Sequence, residues 1–428
     1  GAVLPSSADE AIRLAHAIAG PSAVTPAAQA EIDRVVAAGA NSARTLAGRP
    51  TPGALVSAQV RCAVFEGQQY CLHAGWTNDP ASDVVAELTT ETTTLSARPI
   101  ATRVGTGDAD IATVLQRSAA LTPTARAAAD RAELTAAAQA IAKVWLIHHQ
   151  VEGVPLPAGF LERHPEIRLG GVDGTPAYLT QPSATPTSSP GSSPTASPTA
   201  SPAAGSATPA AGSTTSATPT SSTGTSSSPS ATSTTKSYGD YPESAKILST
   251  DRVAEQTRTY YCGPTSMQMI AWNWLKTKSS QEYWAGKLGT TSSGTAITEM
   301  VRVTNAYTGW DRSDFAGPYI VLNVGNYSYG QWWLLNMRHI YDYRAPLIYH
   351  PILLTQYYPY LDHDGSGHFQ VGRGYDKNGD DTNLVGYFEP WNQQRFHPDE
   401  PYISRVQWRS AYKSYRANLA HFQHNIGV

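Results

Sequence analysis

The sequence predicts an α+β protein with two globular parts, residues 1–178 and 237–428, joined by a disordered linker over 179–236. Three observations lead there. An apolar fraction of 41% in 428 residues suits packed cores rather than a fibrous or wholly disordered chain. Residues 174–235 contain no charged residue and become almost wholly Ser, Thr, Pro, Ala and Gly, too little apolar surface to offset the entropy lost on ordering. On either side of that stretch, helical and strand periods alternate.

Charge narrows the function classes. Lys plus Arg number 31 against 34 Asp plus Glu, a net charge of -3, so no general basic field attracts nucleic-acid phosphates. Apolar runs fall far short of the ~20 residues needed to cross a bilayer, so no membrane span is expected. The linker's Ser and Thr resemble the O-glycosylated stalks of exported proteins, and its prolines stiffen it toward extended chain. A first residue of Gly1 fits removal of an export signal or of a tag equally well.

In the first part, residues 8–19 and 26–47 carry Ile, Leu and Val at helical spacing, with Pro26 placed to start the second helix. Residues 53–76 and 83–95, rich in Val, Thr and aromatics, read as strands. A hairpin around a Glu66-Gly67-Gln68-Gln69 turn brings Cys62 opposite Cys71, which predicts a disulfide and an oxidising, extracellular setting. A long helix over 122–149 puts Leu134, Ala138, Ile141 and Trp145 on one stripe and ends at His148-His149, where imidazolium suits the negative dipole end; adjacent histidines point apart and make a poor zinc site. No catalytic set is visible in this part, which leaves a binding module, a surface or cell-wall anchor, or a retained pro-region.

The second part holds eight of the ten tryptophans and all four methionines. Met267, Ile270, Ala271, Trp274 and Leu275 fall on one helical stripe, with Pro264 suited to the first turn. Cys262 therefore stands at a helix N-terminus, where unpaired N–H groups favour thiolate, and as the odd cysteine of an exported chain it is a candidate nucleophile. His368 lies in a strand-like run and supplies the base. The run 376–383 is turn chemistry, and 384–392 returns as a second strand ending at Pro390. If Tyr375 opposes Leu384, Gln370 pairs with Glu389, and His368 and Glu389 become diagonal neighbours on one face. Glu389 can then fix the imidazole tautomer, with Asn392 as the rival orienter. Gln256, six residues before Cys262, can donate toward a developing oxyanion.

These segments resemble the papain-like cysteine peptidases of the bacteriocin-processing type, cysteine peptidase family thirty-nine, and in particular their exported actinobacterial relatives. The resemblance rests on Gln-x5-Cys-Gly-Pro from Gln256, Gly-His-Phe-x-Val-Gly-x-Gly-Tyr-Asp from Gly367, and a residue-Pro pair closing the next strand. It covers 238–428 only. It implies a papain-like domain, a helix with the cysteine packed on an antiparallel sheet with the histidine. By the same resemblance Gln256 is the oxyanion glutamine, Cys262 the nucleophile and His368 the general base. The family's Asp-Pro is Glu389-Pro390 here, so Glu389 and Asn392 both stand as third member. The implied function is a secreted thiol hydrolase cleaving amide bonds of a peptide or protein substrate without a cofactor. Acyl transfer by the same cysteine, or a cell-wall or matrix binding protein with a decayed peptidase domain, are the alternatives.

Other ligand patterns are weaker. Asp362-His363-Asp364 and Asp376 to Asp381 alternate oxygen ligands, but their glycines come too early for a calcium loop. Histidines 339, 350, 363, 397, 421 and 424 show no zinc spacing, so no metal is expected. Trp332-Trp333 and 357–360 read as core or rim packing.

Overall fold

A computed structural model describes residues 14–42, 50–98, 106–169, 236–309, 317–378 and 383–428. The linker expected over 179–236 and the turn residues 379–382 fall almost wholly outside the described residues, as do 8–13 of the first expected helix. Helices and strands are mixed, and among the described residues no helix is long and apolar enough to cross a membrane.

The two globular parts share one sheet. Its order runs Val406–Ser410, Leu384–Phe388, Gln370–Asp376, Leu347–Tyr349, Asn425–Gly427, Val321–Asn323, Gly75–Thr77, Gln68–Cys71 and Cys62–Phe65, with Ser244–Lys246 also pairing to Gln370–Asp376. The seam is the parallel pair Trp76↔Leu322; the other pairings between named strands are antiparallel. Trp76 is 1% exposed and belongs to the same apolar cluster as Ile320, Leu322 and Val324, so the core runs across the junction.

Several local expectations change. Residues 53–59 are helical, not extended: in Pro52–Gln59 the Thr51 side chain accepts from the Ala54 N–H and Pro52 starts the turn, signals that outweigh β-branched content. Residues 83–95 also form a helix, Ala81–Ser96. Its buried Val84, Leu88, Glu91, Thr92 and Leu95 keep helical spacing, and Thr89, Thr90, Thr93 and Thr94 bond back to carbonyls four residues earlier, which removes the usual reason for threonine to favour strands. Ile18–Ala19 is a short strand paired with Ile167–Arg168. The helix expected from Pro26 spans Pro26–Ser42, with Thr25 accepting from Ala28 N–H. The long helix breaks at Ala140 into Pro123–Gln139 and Ile141–Ile147, then widens into a π turn, His148–Glu152, closed by Gly153 at positive φ. Cys62 stands opposite Cys71 in the hairpin register and the two form a disulfide.

Helix Cys262–Leu275 packs on the sheet at strand Gln370–Asp376. Met267, Ile270 and Ala271 pack with Ile348, Phe369, Val371 and Phe388 in one cluster. The hairpin register begins one residue away from the expected one, with Leu384 opposite Asp376. An irregularity between Gly386 and Tyr387 absorbs Arg373, after which Tyr387 pairs with Gly372 and Phe388 with Val371. The far end therefore has the register in which Glu389 faces Gln370.

Candidate active site

Four of the five expected residues converge at the start of helix Cys262–Leu275 and the ends of the two strands behind it; Gln256, Cys262, His368 and Glu389 are each 0% exposed. His368 precedes its strand by two residues and is pinned by its own N–H to Pro351 O. His368 Nε2 lies 2.7 Å from Glu389 Oε1.

Glu389 is saturated with donors. Oε1 also accepts from Trp391 N–H at 2.8 Å, while Oε2 accepts from Tyr360 Oη and Gln370 Nε2, both at 2.7 Å. Burial pushes the carboxyl up, but the His368 charge and these hydrogen bonds outweigh it and hold the group below its ordinary range. A buried carboxylate with four donors stays ionised and presents one fixed face to the imidazole. His368 Nδ1, buried, has no hydrogen-bond partner among the described residues. With Nε2 engaged by the carboxylate, Nδ1 is the nitrogen left for proton transfer.

Cys262 shares a buried cluster with Phe369, the residue that follows His368, and the backbone N–H groups of Phe369 and Gly263 favour its thiolate. The expectation of a thiolate is corrected here. Burial pushes the thiol well up, and the Asp108 and Glu389 carboxylates add to that, against the opposing pull of the two N–H groups. A helix N-terminus depresses a thiol only while little else excludes water.

Gln256 is tied in by its N–H to Pro390 O at 2.9 Å. Its Nε2 donates to Arg258 O and Thr259 O, both at 3.0 Å, so its amide protons are committed to the loop before Cys262. Asn392 lies elsewhere in function: Nδ2 donates to Glu255 Oε2 at 2.7 Å and Oδ1 caps the turn Gln393–Phe396 by accepting from Arg395 N–H. Glu389 alone of the two candidate orienters touches His368.

Sequence reasoning missed the supports of Glu389. Tyr360 and Gln370 lie in runs that look like core packing, and only the fold aims them at the carboxylate. It also missed a buried set, Asp108, His350 and His421, drawn from both sides of the linker. His421 Nδ1 accepts from Gln423 N–H at 3.1 Å, so Nε2 carries the proton and donates to Asp108 Oδ2 at 2.9 Å; this hydrogen bonding accounts for His421 without a metal lone pair. A second ligand-type set, Asp362, His363 and Glu400, is mostly exposed. A cavity of about 450 Å³ lies apart from the thiol, lined by Tyr70, His73, Trp76, Glu133, Leu288 and Arg302 among others.

No curated protein and no solved structure matches the chain. Residues 247–418, which carry all five expected site residues, match the model of the Peptidase_C39 like family, so the C-terminal part is similar to these peptidases as its motifs led us to expect.

Proposed function

We propose that the protein is an exported cysteine peptidase that cleaves amide bonds through an acyl-enzyme on Cys262. The observation that carries this reading is the setting of one ring: His368 held on Glu389 through Nε2, Nδ1 unengaged among the described residues, and Phe369, the next residue, packed in one buried cluster with Cys262. In the reaction the Cys262 proton passes to His368 Nδ1 and the sulfur attacks the scissile carbonyl carbon. His368 then returns the proton to the leaving amine, a thioester remains, and water activated by the same imidazole releases the acid. Glu389 keeps the ring in the productive tautomer and stabilises its charged form. Gln256 serves as oxyanion donor once its amide turns away from the carbonyls of Arg258 and Thr259.

The Cys62–Cys71 disulfide and the linker composition support an extracellular setting, and a glycosylated linker suits contact with cell wall or matrix. The test is a peptide-library digest by the intact chain beside a Cys262→Ala control. Cleavage only with the thiol supports the reading; equal cleavage by the control overturns it. An added amine that appears in the products redirects the reading to acyl transfer.

A further inference from the structure

Cys262 is 0% exposed, and a segment from the other side of the linker packs against residues around it. Residues 106–109, a turn at Thr106 and a bend at Gly107 leading into a single bridge at Asp108, touch both walls of the cleft. On one wall Gln256 Nε2 donates to Thr106 O at 3.5 Å, and Gly107, at φ 111°, lies so near Tyr260 that a Cβ would stand 2.5 Å from its carbonyl carbon. On the other, Thr106 N–H donates to Ser366 Oγ at 3.0 Å and Thr106 Oγ1 to Gly367 O at 2.5 Å. Beneath, Thr295 N–H donates to Gly107 O and Ala109 N–H to Thr295 O, both at 2.9 Å, a parallel bridge centred on Asp108. Main-chain bonds of this kind hold an extended peptide added to an edge, while pockets for its side chains supply specificity.

The pocket here is specific. The Asp108 carboxylate sits between two buried imidazoles, His350 Nε2 at 2.9 Å from Oδ1 and His421 Nε2 at 2.9 Å from Oδ2. His350 is stacked on Phe369 with ring centroids 4.7 Å apart and has Nδ1 at 2.7 Å from Asn425 Oδ1, so its direction is set by elements of the C-terminal part alone. Below the carboxylate lies Gly367, the neighbour of His368, where any side chain would strike Asp108 Oδ2 and His421 Nε2. The C-terminal part thus presents a preformed carboxylate seat one residue from the general base.

We propose that His350, His421 and the bare backbone of Gly367 form a subsite for an acidic side chain, filled here by Asp108 as an internal occupant. The ligand class is an extended peptide with Asp or Glu at the matching position. Calling it a substrate rests on the thiol-hydrolase reading of Cys262, whereas the subsite itself does not.

The test follows iodoacetamide alkylation of Cys262 by mass spectrometry in the full chain. In the unaltered protein the rate is set by opening of the covering segment and is slow; Asp108→Ala is expected to raise it at least about tenfold. An acetylated peptide amide with the sequence of residues 106–111 should return the variant to the slow rate, and the same peptide with Asn at its third position should not. An unchanged alkylation rate in folded Asp108→Ala, or equal protection by the two peptides, overturns the subsite. If Asp108→Ala does not fold, the near-isosteric Asp108→Asn carries the same comparison; loss of the fold in both makes Asp108 a structural strut and also overturns it. A variant that is protected by the Asp peptide yet cleaves nothing sinks the hydrolase reading alone.

Discussion

Glu389 Oε1 receives His368 Nε2 at 2.7 Å in a site where both side chains are completely buried, while Asn392, three residues on, is turned to Glu255. Replacing Glu389 by Gln keeps the shape but removes the charge that favours imidazolium, so kcat should fall by roughly 10²–10⁴ with peptide binding largely retained. Asn392→Ala should instead cost about 1 kcal/mol of stability through loss of a cap and leave kcat within a few-fold. Steady-state kinetics and melts of both variants decide it: equal effects on kcat would remove Glu389 from the reaction.

Two carboxyls titrate with opposite sign. Glu389 is held below its ordinary value of 4.5, so its contribution to stability is present above about pH 4.5 and is lost as the pH falls through the folded value. Glu133, in the cavity, is pushed up from 4.5 to about 7, chiefly by burial; its contribution is complete below pH 4.5 and is lost as the pH rises through 7. Glu133→Gln should therefore stabilise the protein above pH 7 by about 1–2 kcal/mol and change little at pH 4. A melting-temperature difference independent of pH would refute the assignment.

The disulfide closes the hairpin that ends the shared sheet. With a loop this short, loss of the cross-link in a Cys62→Ser, Cys71→Ser double variant should cost roughly 2–3 kcal/mol. A melt with the same midpoint as the parent would show that the sheet edge needs no covalent tie.

Residues 236–428 alone should fold poorly. Without Gly75–Thr77 the strand Val321–Asn323 becomes an open edge, and Leu322, now 1% exposed, loses Trp76. The fragment is expected to aggregate or melt well below the full chain, and Trp76→Ala in the full chain to cost about 3–5 kcal/mol. A soluble fragment with the parental melting temperature would sink this expectation.

Much of the C-terminal chemistry was legible because it is local. Pro264 and the apolar stripe from Met267 place Cys262 at a helix start, and the turn residues between two strands bring Glu389 back toward His368, whatever lies around them. Even the register error at Leu384 did no harm at the site, since the bulge at Arg373 corrects it before Glu389. Threonine-rich Ala81–Ser96 was misread because its side chains satisfy themselves within the helix, a choice that composition alone does not reveal.

The sequence by itself determined where the sulfur, the imidazole and the carboxylate stand on their own elements, because helix starts, hairpins and disulfide pairing depend on neighbours in the chain. Only the tertiary structure decided that Trp76 joins the two parts in one sheet and that Asp108, from beyond the linker, lodges between His350 and His421. Contacts between residues more than two hundred positions apart leave no periodic trace in the sequence; they arise from shape, buried area and charge that exist only once both parts are folded.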